Sequence, residues 1–296
     1  MKDNLKKRLG NFHDKYYKVL LLIPAIILIL VFIQLGISYS QTGEFFQKDI
    51  SLTGGTTATI YLDADIFKIE QQLSEKLEDL NTRTISDLVT REQKAVIIET
   101  KTSPEETKQV LEEYFNQELT EENSSFEFTG SSLSQSFYKQ LLIAIAMAFI
   151  FMGFIVFILF RKLVPSLAVI LSAFADILMT LGLINILGIE LSTAGIVAFL
   201  MIIGYSVDTD ILLTTHMLKR KEDSINKRIF NAFKTGTTMT LTSILAIGFA
   251  FIIVSSFSAI LSKIFTILLI GLGFDLLNTW ITNASLLKWN LKIKEK

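Results

Sequence analysis

Two acids stand in a segment that is otherwise almost entirely apolar. Asp208 and Asp210 lie near the end of residues 191–213, a run long enough to cross a bilayer. A charged side chain at the centre of a bilayer costs about 2.5–3.5 kcal/mol on insertion scales, and such residues usually face the interior of a helix bundle. The two carboxyl groups therefore indicate a polar route through the membrane, and we expect that route to serve protons.

Other polar residues interrupt neighbouring apolar runs. Asp176, Lys234 and Asp275 each lie in or at the edge of such a run. Asp275, Asn278 and Thr282 are spaced i, i+3 and i+7, which places them on one face of a helix. Four acids, one base and a polar face predict a common polar interior.

Each of these polar residues also has a simpler structural interpretation. Lys234 can extend its ammonium group to the membrane surface, and Asp210 can be a helix-end residue in contact with water. Asp176 and Asp275 can be hydrogen-bonding anchors between helices. Asp208 lies deeper, so it is the least easily explained as structural.

Proton transfer suits these residue types better than covalent catalysis does. Burial favours a protonated carboxyl group and a nearby cation favours the carboxylate, so Asp208 beside Lys234 is predicted to take up and release protons. The chain has no Cys, and it lacks the Gly-rich loop that cradles nucleotide phosphates. We therefore expect no enzyme activity, no metal and no cofactor.

The composition is that of a multi-pass membrane protein. Half of the 296 residues are hydrophobic and the mean hydropathy is +0.48. A run of about 20 apolar residues spans ~30 Å of hydrocarbon. Six such runs predict six transmembrane helices: 19–38, 138–160, 164–187, 191–213, 236–256 and 263–287.

Lys and Arg in the short links set the orientation. They cluster in the N-terminal segment, in the links after the second and fourth runs, and in the C-terminal tail, so both termini are predicted to be cytoplasmic. Lys263, at the outer edge of the last run, is an exception that can extend to the surface. The predicted division is a cytoplasmic segment 1–18, helix 1 at 19–38, an extracytoplasmic domain 39–137, helices 2–6 at 138–287, and a cytoplasmic tail 288–296.

The loop 39–137 is polar enough to be a small α+β domain. Its patterns predict a strand at 52–62, a helix capped by Asp63 or Asp65 that runs to about Leu80, strands at 82–90 and 95–100 around a turn at 91–94, a helix that begins at Ser103, and a strand at 125–129. The order βαββαβ predicts a ferredoxin-like fold. Asn123-Ser124-Ser125 fits the acceptor pattern for glycosylation.

Four stretches of the chain together resemble the SecF family, in its archaeal form. They are Thr53-Gly54-Gly55 at the start of the loop domain, residues 176–182 in the third run, Glu190-Leu191 with Gly204-Tyr205-Ser206-Val207-Asp208-Thr209-Asp210 in the fourth, and residues 233–238 at the start of the fifth. The layout of one span, an outer domain and five spans is also similar to that family. SecF proteins are in turn similar to the larger RND transporters.

The resemblance implies an accessory subunit of protein export. Its partners would be SecD, the Sec translocation channel and the translocating polypeptide, with protons as the energy source and no role for nucleic acid. Asp208 would then be the proton carrier and Lys234 its cationic partner. Bacterial members have Asn-Asp-Thr at 208–210 and Arg at 234, so the acid that carries the proton can be either Asp208 or Asp210.

A second function remains open at the sequence level. An RND-type exporter of small molecules would also place acids in its fourth span. A single outer domain with six spans is half of a pseudo-symmetric unit, so an exporter of this size would act as a homodimer.

Overall fold

The computed structural model describes residues 16–87, 90, 92–219, 224–255 and 258–294. Most of the predicted N-terminal segment, part of the strand predicted at 82–90 and the end of the tail lie outside the described residues. Six helices are long and apolar enough to cross a membrane, which confirms the six predicted spans. They run Tyr16–Thr42, Ser131–Phe160, Leu163–Ile186, Thr193–Leu218, Ile225–Val254 and Ile260–Ile293.

The helices and strands follow one another in a simple order. They are α1 (Leu22–Thr42), α2 (Ile50–Thr53), β1 (Gly55–Ile60), α3 (Ile66–Leu73), β2 (Asn81–Ser86), β3 (Gln93–Thr100), α4 (Pro104–Phe115), β4 (Ser124–Thr129), α5 (Ser131–Phe160), α6 (Leu163–Ile186), α7 (Thr193–Lys219), α8 (Ile225–Val254), α9 (Ala259–Leu277), a π-helical segment (Asn278–Asn283) and α10 (Ala284–Lys294). The sixth span therefore consists of α9, the π-helical segment and α10.

The domain between the first and second spans contains one antiparallel sheet with the strand order β2-β3-β1-β4. Because side chains alternate along a strand, Ala58 and Ile60 in β1 point to the same face. There they pack with Ile69 and Leu73 of α3 and Leu111 of α4 in a buried apolar core. The predicted order βαββαβ is present, and a short helix precedes it.

Local capping explains where the structure departs from the predicted boundaries. The strand predicted at 52–62 begins only at Gly55, because Asp49 caps α2 by accepting a hydrogen bond from the amide of Ser51 (2.9 Å). Of the two possible caps for α3, Asp65 is the one used, and α3 ends at Leu73, well before Leu80. The helix predicted at Ser103 is present as α4.

Two glycines join this domain to the second span. A Cβ on Gly54 would lie 2.5 Å from Cα of Ser131, the first residue of α5, and a Cβ on Gly55 would lie 2.5 Å from the carbonyl oxygen of Thr100. Both glycines also have positive φ, +88° and +152°, a region that L-residues rarely adopt. The Thr-Gly-Gly motif that begins at Thr53 is therefore a close-packed joint.

The third, fourth and sixth spans form the centre of the membrane bundle. A Cβ on Gly271 of α9 would lie 2.3 Å from Ile202 of α7, so these two helices touch where the glycine removes a side chain. Gly182 of α6 contacts Val31 of α1 in the same way. The most apolar stretches of the second and fifth spans are only 11% and 6% buried, so these spans lie at the periphery.

Candidate functional site

Three predicted acids meet in the interior of the bundle. Asp176 in α6, Asp210 in α7 and Asp275 in α9 are all fully buried. Their partners are hydroxyl and amide groups from the same helices, from α8 and from the π-helical segment. We call these three acids and their partners the carboxylate cluster.

Asp176 receives one hydrogen bond at each oxygen. Ser206 Oγ donates to Asp176 Oδ2 (2.6 Å), and Asn278 Nδ2 donates to Asp176 Oδ1 (2.7 Å). The two donors lie in the fourth and sixth spans, so this carboxyl group connects three helices. The prediction that Asp176 serves as an anchor between helices describes this geometry well.

Asp210 and Asp275 share one hydroxyl group. Thr279 Oγ1 lies 2.9 Å from Asp210 Oδ1 and 2.9 Å from Asp275 Oδ1. A threonine hydroxyl has one hydrogen to donate and lone pairs that accept. It can satisfy both carboxyl groups at once only if one of them carries a proton and donates it back. The geometry thus provides a position for one added proton.

The other contacts of these two acids leave one oxygen unsatisfied. Asn283 Nδ2 donates to Asp210 Oδ1 (2.7 Å), and Thr240 Oγ1 donates to Asp275 Oδ2 (3.4 Å). Asp210 Oδ2 is buried and has no hydrogen-bond partner among the described residues. A buried carboxylate oxygen without a partner is costly.

The π-helical segment supplies the amide donors. Asn278 and Asn283 are its first and last residues, five positions apart. A π-helix pairs residues i and i+5, and such segments occur frequently at functional sites. Asn278 therefore reaches Asp176 while Asn283, one turn further on, reaches Asp210.

Neutral donors hold the whole cluster. Every hydrogen bond from the described residues to the three carboxyl groups comes from a hydroxyl or an amide, and none comes from Lys or Arg. Buried charges without a paired cation are so costly that the group neutralises instead. Together with the shared hydroxyl of Thr279, this arrangement can hold a proton and pass it between Asp210 and Asp275.

The structure places the expected proton carrier, Asp208, and its expected cationic partner, Lys234, away from this cluster. Asp208 and Lys234 are exposed on the surface of the chain, and neither side chain forms a hydrogen bond or ion pair within the described part of the protein. An α-helix turns 100° per residue, so Asp208 points about 160° away from Ser206 and Asp210. The expected pairing of Asp208 with Lys234 inside one polar interior is therefore absent from this structure.

The other signature residues of α7 lie either on its buried face with Asp210 or on its exposed face with Asp208. Ser206 is buried and bonded to Asp176, whereas Gly204 and Tyr205 are exposed with Asp208. In the loop domain, Thr53 donates its hydroxyl to the carbonyl of Asp49 (3.3 Å). Asn123 uses its side-chain amide to donate to Glu118 O (2.9 Å).

Sequence reasoning missed a second group of charges, at the ends of the spans next to the domain of residues 39–137. We call this side of the bundle its outer side. Lys263 at the start of α9 donates to Asp49 Oδ2 and lies 3.8 Å from Glu190 Oε2. Beside them, Arg83 of β2 donates to Glu99 of β3. We call these five residues the outer ion-pair network. Lys263, expected to extend to the surface, is instead a largely buried partner of two acids. The available signal was its position as a cation at an edge whose short links carry no other Lys or Arg.

The network holds Asp49 in the charged form. Burial alone raises the pKa of Asp49, but the charge and hydrogen bond of Lys263, the amide of Ser51 and the charge of Arg83 together bring that pKa below its ordinary value. Burial lowers the pKa of the Arg83 guanidinium, against the charges of Asp49 and Glu190.

The three acids of the network also have the spacing of a metal site. One oxygen from each of Asp49, Glu99 and Glu190 lies within 4.8 Å of the others. The ammonium of Lys263 and the guanidinium of Arg83 already lie against these oxygens. Two cations of the protein itself therefore contact this group of three acids.

Comparisons with known proteins assign a family. Residues 107–292 match the model of the C-terminal region of protein export membrane proteins SecD/SecF. The protein-export membrane protein SecF of Methanocaldococcus jannaschii is 40% identical over 282 residues, which cover 93% of this chain and 96% of that protein. The SecF of Methanothermobacter thermautotrophicus is 36% identical, with 95% and 94% covered.

Solved structures show the same fold. A crystal structure of SecDF, a translocon-associated membrane protein from Thermus thermophilus, aligns with a TM-score of 0.70 at 17% identity and covers 95% of this chain. A second SecDF structure, in a super-membrane-facing form, aligns with a TM-score of 0.56 at 19% identity. This chain spans 38% of the length of each of those chains. The chain belongs to the SecF family of protein-export membrane proteins.

Proposed function

We propose that this chain is an accessory subunit of the protein-export machinery, and that it acts with a SecD-like chain to promote movement of polypeptides across the cytoplasmic membrane. The energy comes from protons that pass through the carboxylate cluster. The observation that carries this proposal is the hydroxyl of Thr279 at 2.9 Å from both Asp210 and Asp275. Each proton that crosses a potential of 100 mV supplies about 2.3 kcal/mol.

In this proposal the proton is carried by the inward-facing acids. Asp210 and Asp275 exchange it through Thr279, and Asp176 connects the same helices through Ser206 and Asn278. Uptake or loss of a proton changes which hydrogen bonds the cluster can make. The three spans that bear the acids then shift against one another.

The outward-facing residues of the fourth span supply the partner surface. Val197, Met201, Gly204, Tyr205 and Asp208 form an exposed stripe along α7. Among the described residues outside the neighbouring helix backbone, no atom lies within 4 Å of the position of a Cβ on Gly204. A small residue on an open face lets another helix approach closely. An unpaired carboxyl group facing lipid is costly. We therefore assign this stripe to contact with the SecD-like chain, which supplies the part of SecDF that this chain does not match.

The outer domain and its orientation complete the proposal. The sheet order β2-β3-β1-β4 with α3 and α4 on one face supports a ferredoxin-like fold for residues 39–137. The Lys and Arg residues of the short links support cytoplasmic termini and an extracytoplasmic domain. From that side of the membrane the domain can act on a polypeptide that leaves the Sec channel.

The test compares an inward-facing acid with an outward-facing one in the same helix. Asp210→Asn and Asp208→Asn each remove one carboxyl group and keep its shape. In cells that depend on this chain, we expect Asp210→Asn to lower export of a secreted reporter at least tenfold at normal levels of the SecD-like partner. We expect Asp208→Asn to reduce the amount of partner that co-purifies while the remaining complex exports normally.

Proton uptake, measured on both variants, makes this test decisive. Proton uptake by vesicles that contain the purified complex should be lost with Asp210→Asn and retained with Asp208→Asn. Normal export and proton uptake with Asp210→Asn would refute the cluster as the proton route. Loss of proton uptake with Asp208→Asn at normal partner levels would return the role to Asp208.

A further inference from the structure

One helix, α9, contributes a residue to both the carboxylate cluster and the outer ion-pair network. In α9, Lys263 and Asp275 are 12 residues apart (275 − 263), which corresponds to about 18 Å of helix. The acids Asp176 and Asp210 lie in α6 and α7, and the link between those helices contains Glu190 of the network. All three helices that bear cluster acids therefore connect to the network, either directly or through this link.

Lys263 contacts two segments that lead to the outer domain. It donates to Asp49, which caps α2, and it lies 3.8 Å from Glu190 in the link. The same oxygen of Glu190 accepts a hydrogen bond from Asn81 Nδ2 of β2 (2.8 Å). These side chains are largely buried, so their contacts form a continuous path from α9 to the sheet.

Backbone bonds tie the two segments to each other. The amide of Asp49 donates to Leu191 O (3.0 Å), and the amide of Leu191 donates to Gln47 O (2.8 Å). Thr193 N donates to Ser51 Oγ (3.0 Å) at the start of α7. A displacement of the link must therefore move the segment that continues, through the glycine joint, into β1.

Space beside these contacts allows the domain to move. A crevice of about 550 Å³ separates β2 from the outer ends of α8 and α9. Thr84 of β2, Ser255 at the end of α8 and Lys263 of α9 all line it. The outer domain is thus held by the network beside an open crevice, an arrangement that can act as a hinge.

We propose that Lys263 is a positioning residue that transmits displacement of the sixth span to the outer domain. When the hydrogen bonds of Asp275 and Thr279 change, α9 shifts as a rigid rod. Lys263 then moves against Asp49 and Glu190, and the outer domain tilts across the crevice. This inference rests on the proposed function for the source of the displacement, and it adds the route by which the displacement leaves the membrane.

Spin labels across the crevice test this route. The chain contains no Cys, so Thr84→Cys and Ser255→Cys can be labelled specifically without altering a residue of the network. The distance between the labels is measured in the complex with its partner in lipid bilayers. We expect Asp275→Asn to shift that distance by about 2 Å or more, the upper size of helix translations in switching proteins.

The role of Lys263 is tested by adding a second substitution to Asp275→Asn and measuring the shift in label distance again. Lys263→Met should abolish the shift, and Lys263→Arg, which retains the charge, should restore it. Lys101→Met, which removes a lysine from an exposed pair with Asp79, is the matched control and should leave it unchanged. If Asp275→Asn does not assemble, Asp210→Asn takes its place.

The outcomes separate this inference from the proposed function. An equal shift with and without Lys263, or no shift in either chain, overturns the route through Lys263. Lost export with Asp275→Asn but no shift would leave the proton role standing and refute the route. A shift that depends on Lys263, together with normal export, would support the route and refute the proton role.

Discussion

The two groups of buried acids in this protein differ in what neutralises them. In the outer ion-pair network, three acids lie against Lys263 and Arg83. In the carboxylate cluster, three acids are hydrogen-bonded by hydroxyl and amide groups, and no cation contacts them among the described residues. About 18 Å of one helix separates the two groups.

A chain can thus keep one set of acids charged and leave another set free to exchange protons. An adjacent cation stabilises the carboxylate, so the network retains its charges and its geometry. Neutral donors bond either form of a carboxyl group, since a hydroxyl can both donate and accept. The network is therefore suited to holding position, and the cluster to changing state.

Reversing the charge of the cation in the network should have the largest effect. Lys263→Glu leaves Asp49 and Glu190 without their partner and adds a further acid. Breaking a buried ion pair costs about 3–5 kcal/mol. We expect the amides of Asp49 and Leu191, which bond the segment before α2 to the link between α6 and α7, to exchange hydrogen at least about a hundredfold faster, because 1.4 kcal/mol is a tenfold change. Rates within a few-fold of the unaltered chain would show that the network does not hold these two segments together.

Removing a carboxyl group from the cluster should lower stability less than Lys263→Glu does, by an amount that depends on the replacing residue. Asp176→Leu leaves the amide of Asn278 without its acceptor, at a cost of about 1–3 kcal/mol. Asp176→Asn should be within about 0.5 kcal/mol of the unaltered chain, since Ser206 can rotate its hydroxyl and accept from the new amide. Thermal unfolding of the purified complex, followed by circular dichroism, measures both. Equal losses for Leu and Asn would indicate that the charge itself stabilises the cluster.

The network should lose stability in acid and keep it at neutral pH. The pKa of Asp49 is lower in the folded chain than its ordinary value of about 3.9. Its contribution to stability is therefore complete above about pH 4 and is lost as the pH falls through the folded pKa. We expect the unfolding temperature to be level from pH 5 to 8 and to drop below pH 4. In Lys263→Met the drop should begin at higher pH, because burial then acts without the cation.

An exposed ion pair on the outer domain should contribute least. Lys101 and Asp79 lie 2.5 Å apart, but their side chains are 40% and 64% exposed. Solvent and salt screen such pairs, which contribute about 0–1 kcal/mol. Lys101→Met should change the unfolding temperature by no more than the measurement error at physiological salt. A larger loss would place this pair with the buried network.

Much of the fold could be predicted because it depends on local patterns. Six apolar runs of sufficient length gave the six spans, and alternating residues with a Ser103 cap gave the strands and helices of the outer domain. The limits of those patterns appear at Asp49 and Asp65, where the choice of cap moved the boundaries of β1 and α3. Capping depends on single side-chain contacts that composition does not specify.

The site could be predicted in part. Asp176, Asp210 and Asp275 were recognised as intramembrane acids, and Asp275, Asn278 and Thr282 were placed on one face. The sequence allows either Asp208 or Asp210 to face the interior of the bundle. In the structure Asp210 faces inward and Asp208, which was expected to be the central acid, is exposed. Only the packing of α6, α7 and α9 selects which of two acids, two positions apart, faces inward.

Hydrophobicity and periodicity are enough to predict that this chain crosses a membrane six times, carries a small α+β domain, and has acids within its apolar spans. These patterns act over a few turns of helix or a few residues of strand. Which acids meet, and which are paired with cations, depends on tertiary packing. Lys263 and Asp49 are 214 residues apart in the chain, and their contact arises because two distant segments are packed together at the outer end of one bundle.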